Sequence, residues 1–178
     1  YAMSEFCAGE HGGTHFDAPY HFYENGWKVG DVSVDRLIAK GCVVIDLRNE
    51  TGISVGKNRI LDTEHLERWQ RNNGAFDEGS VLLVRFGHSQ YWYNKTEYMG
   101  IDSNGKLNFP GISEHAAEWI VRSGKFYGVG VDTPSVDPGN SGNFMAHRIF
   151  AKYQLYGLEN VKLTEELPGK KHFFFSFM

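Results

Sequence analysis

The sequence predicts a mixed α/β domain with a central sheet and flanking helices. Three runs of β-branched and apolar residues have the composition of buried strands, and stretches with helical spacing of apolar residues lie between them. This alternation favours an α/β or α+β fold and leaves the order of the strands open. The chain has 178 residues, 41% hydrophobic and 22% charged, so we expect residues 1–178 to form one globular domain.

The predicted strands are runs that are apolar on both faces, as in a sheet covered on both sides. They span residues 41–47, 80–86 and 126–131. Residues 1–10 mix aromatic and small side chains and predict a further strand that runs into the glycines after it. The three apolar runs are the strands on which the sheet prediction depends.

Two helices are predicted from their boundary residues. Asp62 is a suitable N-cap for the first, which carries apolar residues on one side and ends before Gly74. Ser113 caps the second, which ends at Gly124. Each helix lies between two predicted strands, which supports the alternating pattern.

A third amphipathic stretch begins at Ala146. It predicts a helix through about Tyr156, with Gly157 as its C-terminal stop. Residues 100–111 and 132–144 are rich in Gly, Pro, Asn and Ser and are predicted loops. The second loop follows a buried strand directly, which is where binding residues often gather.

Charge and hydropathy exclude two classes of partner. The 22 acidic and 18 basic residues give a net charge of −4, without a dense run of lysine and arginine, so we expect no nucleic-acid partner. No stretch approaches the ~20 apolar residues that a bilayer-spanning helix needs, so we expect no membrane partner. A cytoplasmic location is favoured, while sequons at 49–51 and 94–96 leave secretion open.

The cysteines give no sign of a disulfide framework or a nucleophile. Cys7 and Cys42 lack metal-binding spacing, and we expect two free thiols in the core. No GxSxG motif is present, and Cys7 lies in a predicted strand without a helix N-terminus to activate it. Covalent catalysis is therefore disfavoured.

The two ends of the sequence suggest a longer natural chain. The sequence begins at Tyr1 without an initiator methionine and ends just after an apolar run at 172–177. Apolar strands seldom stand unfinished at a terminus, so we expect segments beyond both ends.

Candidate metal ligands are concentrated near the amino terminus. Residues 11–21 contain His11, His15, Asp17 and His21, all at odd positions. A fully extended chain would hold His11 and His15 about 13 Å apart, so the chain must curl at the two glycines after His11. Imidazole and carboxylate together suit zinc or manganese and leave room for water. Metal binding is therefore the working hypothesis, with a solvated histidine-rich loop as the alternative.

His147 and Glu159 are weaker candidates when taken alone. Twelve residues of helix would place them about 120° apart, so they converge only if the helix breaks at Gly157. For an isolated pair, structural roles are favoured.

The remaining histidines and aromatic residues have mainly structural interpretations. His65 and His115 lie among charged residues of the predicted helices and are expected to be solvated, and His172 is expected to be structural. His88 follows a predicted strand and is either structural or near the site. Most aromatic residues are expected in the core, but three loop residues could instead line a pocket for a planar substrate: Trp92, Tyr93 and Tyr98.

Residues 11–21, His-Gly-Gly-Thr-His-Phe-Asp-Ala-Pro-Tyr-His, resemble the HxGTHxDxPxH signature of the metal-dependent cyclase family. That family includes the bacterial-type kynurenine formamidases and the isatin hydrolases. Residues 130–137 are similar to its GxDTxSxD segment, and the resemblance extends to His147 and to 157–160. It therefore covers the chain from its first residue to at least Val161.

The resemblance implies a swivelling β/β/α domain and a centre with two divalent metal ions, zinc or manganese. The implied ligands are His11, His15 and Asp17 for the first ion and His147 for the second, with Asp17 and Glu159 bridging both. His21 would be the catalytic residue that transfers protons. The family also implies a homodimer or larger homo-oligomer.

The implied activity is hydrolysis of a small amide. The presence of Glu159, which isatin hydrolases lack, favours an arylformamidase that converts N-formylkynurenine to formate and kynurenine. Phe86 stands where many relatives carry a small polar residue, which leaves the substrate open. The alternatives are a hydrolase of another cyclic or acyl amide, such as isatin, and a non-catalytic metal-binding homologue.

Overall fold

The computed structural model describes residues 1–39, 41–49, 59–164 and 175–176. In these residues the strands are β1 (His15–Asp17), β2 (Ile38–Ala39), β3 (Gly41–Asp46), β4 (Ile60–Leu61), β5 (Ser80–Arg85), β6 (Gly111–Ile112), β7 (Phe126–Val131), β8 (Tyr156–Glu159) and β9 (Phe175–Ser176). The α-helices are α1 (Val34–Leu37), α2 (Thr63–Asn73), α3 (Lys95–Met99), α4 (Glu114–Ser123) and α5 (Met145–Lys152).

A five-stranded sheet in the order β1-β8-β7-β5-β3 forms the centre of the fold. β3, β5, β7 and β8 run parallel, and β1 pairs antiparallel with β8 at one edge. β2 pairs with β9 and β4 with β6 in two small sheets. The predicted α/β architecture and its three apolar strands are confirmed.

The central strands divide their side chains between two hydrophobic clusters, because successive residues of a strand point to opposite faces. On β5, Leu82 and Val84 belong to the larger cluster, which also contains residues of α2, α4 and α5. Val81 and Leu83 belong to the smaller cluster on the other face. Each fully buried side chain of this type stabilises the fold by about 1.5–3 kcal/mol, which explains why both faces are apolar.

Both helices predicted from their caps are present. The Asp62 carboxylate accepts from the Thr63 amide at 2.8 Å, and the Ser113 hydroxyl accepts from the Ala116 amide at 3.0 Å. The helices end at Gly74 and Gly124, as predicted. These boundaries are local, since each depends on residues within one turn of the helix end.

The prediction of solvated helix histidines is correct for His115 and wrong for His65. His115 is exposed. His65 is buried because it lies in the first turn of α2, where its Nδ1 accepts from the backbone amide of Asp62 at 2.9 Å. It thus closes a capping box that occupies an otherwise unpaired donor.

The predicted helix from Ala146 through Tyr156 is wrong at its end. α5 stops at Lys152, because the chain turns at Gln154, which has a left-handed φ of 61°. The Leu155 amide donates back to the Phe150 carbonyl at 3.0 Å, and the chain then enters β8. Gly157 lies inside that strand rather than at a helix stop.

The prediction of a strand at residues 1–10 is also wrong. All ten residues are exposed and form no strand, so their aromatic side chains bury no surface that would hold a strand against the sheet, and the first strand begins at His15. Cys7 is consequently exposed, whereas Cys42 in β3 is buried as predicted. His172 and residues 50 and 51 of the sequon at 49–51 lie outside the described residues. Among the residues that are described, no helix is long and apolar enough to cross a membrane.

Candidate metal centre

The pairing of β1 with β8 brings distant parts of the sequence to one edge of the sheet. His15 lies opposite Glu159, and Asp17 lies opposite Gly157. Because His15 and Asp17 are two residues apart on one strand, their side chains point to the same face. A Cβ at position 157 would lie 3.3 Å from the Asp17 Cβ, so the glycine leaves room for this carboxylate.

Asp17 is contacted by three imidazoles. Its Oδ1 lies 2.9 Å from His11 Nδ1 and 3.2 Å from His15 Nε2, and its Oδ2 lies 3.4 Å from His147 Nε2. The carboxylate is buried, with 5% of the residue exposed. Asp17 is thus the centre of a cluster that also contains His11, His15, His147 and Glu159.

Glu159 is a second buried carboxylate that shares two of these imidazoles. Its Oε2 lies 3.4 Å from His15 Nε2, and its Oε1 lies 3.0 Å from His147 Nε2. Oε1 also accepts from the Val136 amide at 2.9 Å, which fixes the side chain. Two carboxylates therefore face the same two imidazoles, although β1 and α5 are far apart in sequence.

The predicted curl between His11 and His15 is present. The chain turns at His11 and bends at Gly13, whose φ is 69°, a value that favours glycine. His11 Nδ1 and His15 Nε2 come within 3.2 Å of each other. The five predicted ligands thus form one cluster in the structure.

The donor set of the cluster fits a divalent metal. Ligand atoms of His11, Asp17 and His21 lie within 4.8 Å of one another, as do those of His15, Asp17 and Glu159. Asp17 Oδ1 is buried and accepts no hydrogen bond from the described residues, although two ring nitrogens approach it. Imidazole nitrogens and carboxylate oxygens that converge at such short distances form the arrangement that a divalent cation satisfies.

The charges in the cluster are strongly coupled. The neighbouring carboxylates, Asp17 first and then Glu159, raise the pKa of His15 to about 10. Burial would lower the pKa of His147, but its hydrogen bonds to Asp137, Asp17 and Glu159 outweigh this and raise it to about 11. Burial opposes ionisation of Asp17 and Glu159, yet the imidazoles hold the pKa of both carboxyls below the usual value. Both carboxylates are therefore anionic at neutral pH.

His147 is held in place by a residue to which the sequence analysis gave no role. Asp137 accepts from the backbone amides of Ala146 and His147 at 2.9 and 3.0 Å, at the start of α5. It also lies 2.7 Å from His147 Nδ1, which leaves Nε2 to face the cluster. Its place in the motif at 130–137 was the sequence signal that could have found it.

His21 lies at the exposed mouth of the cluster. It ends the short 3-10 helix Pro19–His21, and its ring centroid lies 4.1 Å from that of His11 and 5.9 Å from that of His147. Partial burial lowers its pKa. The neutral imidazole is therefore favoured at pH 7.

An aromatic cavity of about 360 Å³ has in its wall two residues that are next in sequence to members of the cluster. Thr14 and Asn160, which line it, are the sequence neighbours of His15 and Glu159, and the Thr14 hydroxyl donates to the Asn160 carbonyl at 2.6 Å. The aromatic residues for which a pocket was considered all line this cavity: Trp92, Tyr93 and Tyr98. Tyr98 lies in α3 and not in a loop as predicted.

His88 has a structural environment. It is buried, its amide donates to Asp132 at 2.8 Å, and its Nε2 lies 2.6 Å from the Tyr98 carbonyl. Of the two interpretations of this histidine, the structural one is confirmed.

The fold and the cluster together define an α/β protein with a candidate metal centre where the edge strand meets the parallel sheet. Residues 2–138 match the model of the Cyclase family ("Putative cyclase"). The chain belongs to this family, as the resemblance predicted.

Individual relatives bear names from both branches considered above. The chain is 27% identical over 179 residues to isatin hydrolase of Roseibium aggregatum, which covers 96% of this chain and 66% of that protein. It is 34% identical over 163 residues to kynurenine formamidase of Bacillus thuringiensis subsp. konkukian, with 89% and 64% covered. A crystal structure of an isatin hydrolase bound to the product analogue thioisatinate is similar with a TM-score of 0.82 and 27% identity, over 93% of this chain and 64% of that one. The chain thus spans a little under two thirds of the length of these relatives.

Proposed function

We propose that this protein is a metal-dependent amide hydrolase that acts on an aryl formamide such as N-formylkynurenine. The observation that carries the proposal is the pair of buried carboxylates, Asp17 and Glu159, that face the same two imidazoles. The name of the kynurenine formamidase relative supports this substrate class, since that relative is 34% identical.

Two divalent ions, zinc or manganese, fit this donor set. His11, His15 and Asp17 would hold the first ion, and His147 would hold the second, with Asp17 and Glu159 shared between them. Ions bound there supply hydroxide at neutral pH and polarise the substrate carbonyl. The bridging role of Asp17 is supported by its two oxygens, which face different histidines.

His21 is the residue we assign to proton transfer. Its neutral imidazole accepts the proton of the attacking water and delivers it to the amide nitrogen as the carbon–nitrogen bond breaks, a step worth ~10²–10⁴-fold in rate. The products are formate and the aryl amine. The aromatic cavity would take the aryl group, since Trp92, Tyr93 and Tyr98 line it and aromatic side chains pack well against a planar ring.

The proposal is tested by metal analysis together with hydrolysis of N-formylkynurenine, before and after chelation and metal restoration. We expect about two ions per chain and release of formate that stops on chelation. Purified protein without metal, or formate release that chelation leaves unchanged, would contradict it.

His21→Ala separates a proton-transfer role from a ligand role, because His21 also lies within reach of an ion held by His11 and Asp17. We expect turnover to fall by ~10²–10⁴-fold with metal content unchanged. His115→Ala, which removes an exposed histidine of α4, is the matched control. Loss of metal from His21→Ala would show that His21 is a ligand.

Isatin hydrolysis is the second candidate, because the isatin hydrolase structure matches this fold with a TM-score of 0.82. A parallel assay with isatin distinguishes the two. Isatin turnover without formate release from N-formylkynurenine would move the assignment to ring opening.

A further inference from the structure

A second cavity, of about 340 Å³, lies at the carboxyl ends of β3 and β5. Three arginines line it: Arg48, Arg59 and Arg85. The metal centre uses none of these residues. We call this space the arginine cavity.

Arg85 is the most buried of the three. It is the last residue of β5 and pairs in register with Asp46 of β3. Its side chain is 4% exposed, and the carboxylate oxygen of the described residues that approaches it is Asp46 Oδ2, 3.7 Å from Nη1 and too far for a hydrogen bond. Within the described part of the chain its Nε has no hydrogen-bond partner.

Asp46 does not satisfy Arg85, because it is already engaged by Arg48. The Arg48 Nε donates to it at 3.0 Å, and the Arg48 Nη2 donates to its Oδ2 at 2.7 Å. This two-pronged pair uses the geometry in which a guanidinium binds a carboxylate best. Asp46 therefore forms its hydrogen bonds with Arg48 and none with the Arg85 guanidinium, which lines the cavity.

Arg59 adds a second guanidinium that backbone atoms hold in place. It donates to the carbonyls of Phe86 and Arg48, and no carboxylate of the described residues lies within 4.0 Å of it. Its Nε is buried and lacks a hydrogen-bond partner among those residues. Among the described residues, two arginines that line the cavity thus each have a buried Nε without a hydrogen-bond partner.

Unpaired buried donors on cations are unfavourable, so they point to a ligand. A guanidinium presents a planar fork of N–H groups that matches the oxygens of a carboxylate or phosphate. Gly87 contributes to the shape of the cavity, because its φ is 80° and a Cβ there would lie 2.9 Å from the Arg48 Cγ. The glycine lets the Arg48 side chain close over one wall.

The arginine cavity adjoins the aromatic cavity. The two share Ser89, Gln90 and Thr164 in their walls. A ligand with an aryl group in one and an anionic group in the other would therefore span adjacent spaces.

We propose that the arginine cavity is a binding site for a small oxoanion, a carboxylate or phosphate group. The anion has two possible sources: a carboxylate on the amide substrate, which rests on the proposed function, or a free anion, which does not. Both sources use the same guanidinium donors.

The first experiment titrates the purified protein with inorganic phosphate by calorimetry at constant ionic strength, with and without chelator. We expect saturable binding that survives chelation and weakens at least about tenfold in Arg85→Gln. Arg71→Gln is the matched control, since that arginine lies on α2 with 66% of its side chain exposed. If Arg85→Gln does not fold, Arg59→Gln takes its place.

The proposal is overturned if the parent binds no phosphate, if binding disappears on chelation, or if folded Arg85→Gln and Arg59→Gln bind as tightly as the parent. Thermal unfolding of each variant establishes that it is folded. Because this titration does not depend on turnover, it stands even if the proposed hydrolase activity fails.

The second experiment identifies the source of the anion with two substrates, N-formylkynurenine, which carries a carboxylate, and formanilide, which does not. A KM that rises about tenfold in Arg85→Gln for the first substrate alone assigns the site to the substrate carboxylate. Unchanged KM values for both substrates, with phosphate binding lost, assign it to a free anion. Absence of hydrolysis of both by the parent would refute the proposed function and leave the phosphate result to decide the anion site.

Discussion

The contact between Asp137 and His147 gives a sharp test of the candidate metal centre. Asp137 binds the Nδ1 side of the imidazole at 2.7 Å, while Nε2 on the other side faces Asp17 and Glu159. A carboxylate in this position fixes the orientation of a histidine ligand and makes its free nitrogen more basic. Asp137→Asn keeps the size of the side chain and removes its charge.

The expected magnitude follows from the contacts of Asp137. Its two oxygens take part in three contacts, two with backbone amides at 2.9 and 3.0 Å and one with the ring at 2.7 Å. Asparagine retains one accepting oxygen, so the helix start is partly kept and the charge-assisted contact with the ring is lost. Loss of such a contact lowers metal affinity by ~10–100-fold. This corresponds to about 1.4–2.8 kcal/mol of metal-binding free energy.

The assay is competition for zinc between the protein and a coloured chelator. On the proposed two-ion arrangement, we expect the affinity for the ion assigned to His147 to fall by ~10–100-fold, while the affinity for the ion assigned to His11 and His15 is unchanged. Asp35→Asn, which changes an exposed carboxylate of α1, is the control for the altered charge. If Asp137→Asn binds zinc as tightly as the parent and its circular dichroism spectrum shows the same helix content, the role of Asp137 is refuted.

Two further predictions concern groups outside the centre. Burial raises the pKa of the Cys42 thiol to about 12, whereas Cys7 is exposed. Iodoacetamide at pH 9 should therefore modify Cys7 alone in the native protein and both cysteines after urea is added. Modification of both cysteines in the native protein would contradict this prediction. Burial would raise the pKa of Asp46, but hydrogen bonds from Arg48 hold it below its usual value. This pair should therefore stabilise the fold above pH ~4 and lose its effect as the pH falls through the lowered pKa. In urea unfolding from pH 3 to 7, the free energy of unfolding of Asp46→Asn should fall less steeply with decreasing pH than that of the parent. The same pH dependence in both proteins would show that the pair contributes nothing.

The parts of the fold that the sequence predicted are those determined locally. The runs at 41–47 and 80–86 are apolar on both faces because the sheet is covered on both sides. α2 and α4 could be bounded because Asp62 and Ser113 bond to amides within their own first turns. The cluster at 11–21 was equally visible, since its side chains are close in sequence.

The convergence of His147 and Glu159 could not be predicted from spacing. It depends on the turn at Gln154 and on the register that sets His15 opposite Glu159. Both are tertiary effects, because strand β8 forms only between β7 and β1. The arginine cavity was missed for the same reason, since Arg59 and Arg85 come together only through the packing of separate segments.

Two buried aspartates in the loop after β7 organise both sides of the site. Asp137 holds the start of α5 and thereby His147. Asp132 accepts from the amides of Phe86 and His88 at 2.8 Å each and so holds the turn after β5, whose residues line the arginine cavity. Each aspartate satisfies backbone donors that burial would otherwise leave unpaired. One loop therefore holds His147 of the candidate metal centre on one side and the wall of the proposed anion site on the other, so a single segment of the sequence constrains both candidate sites.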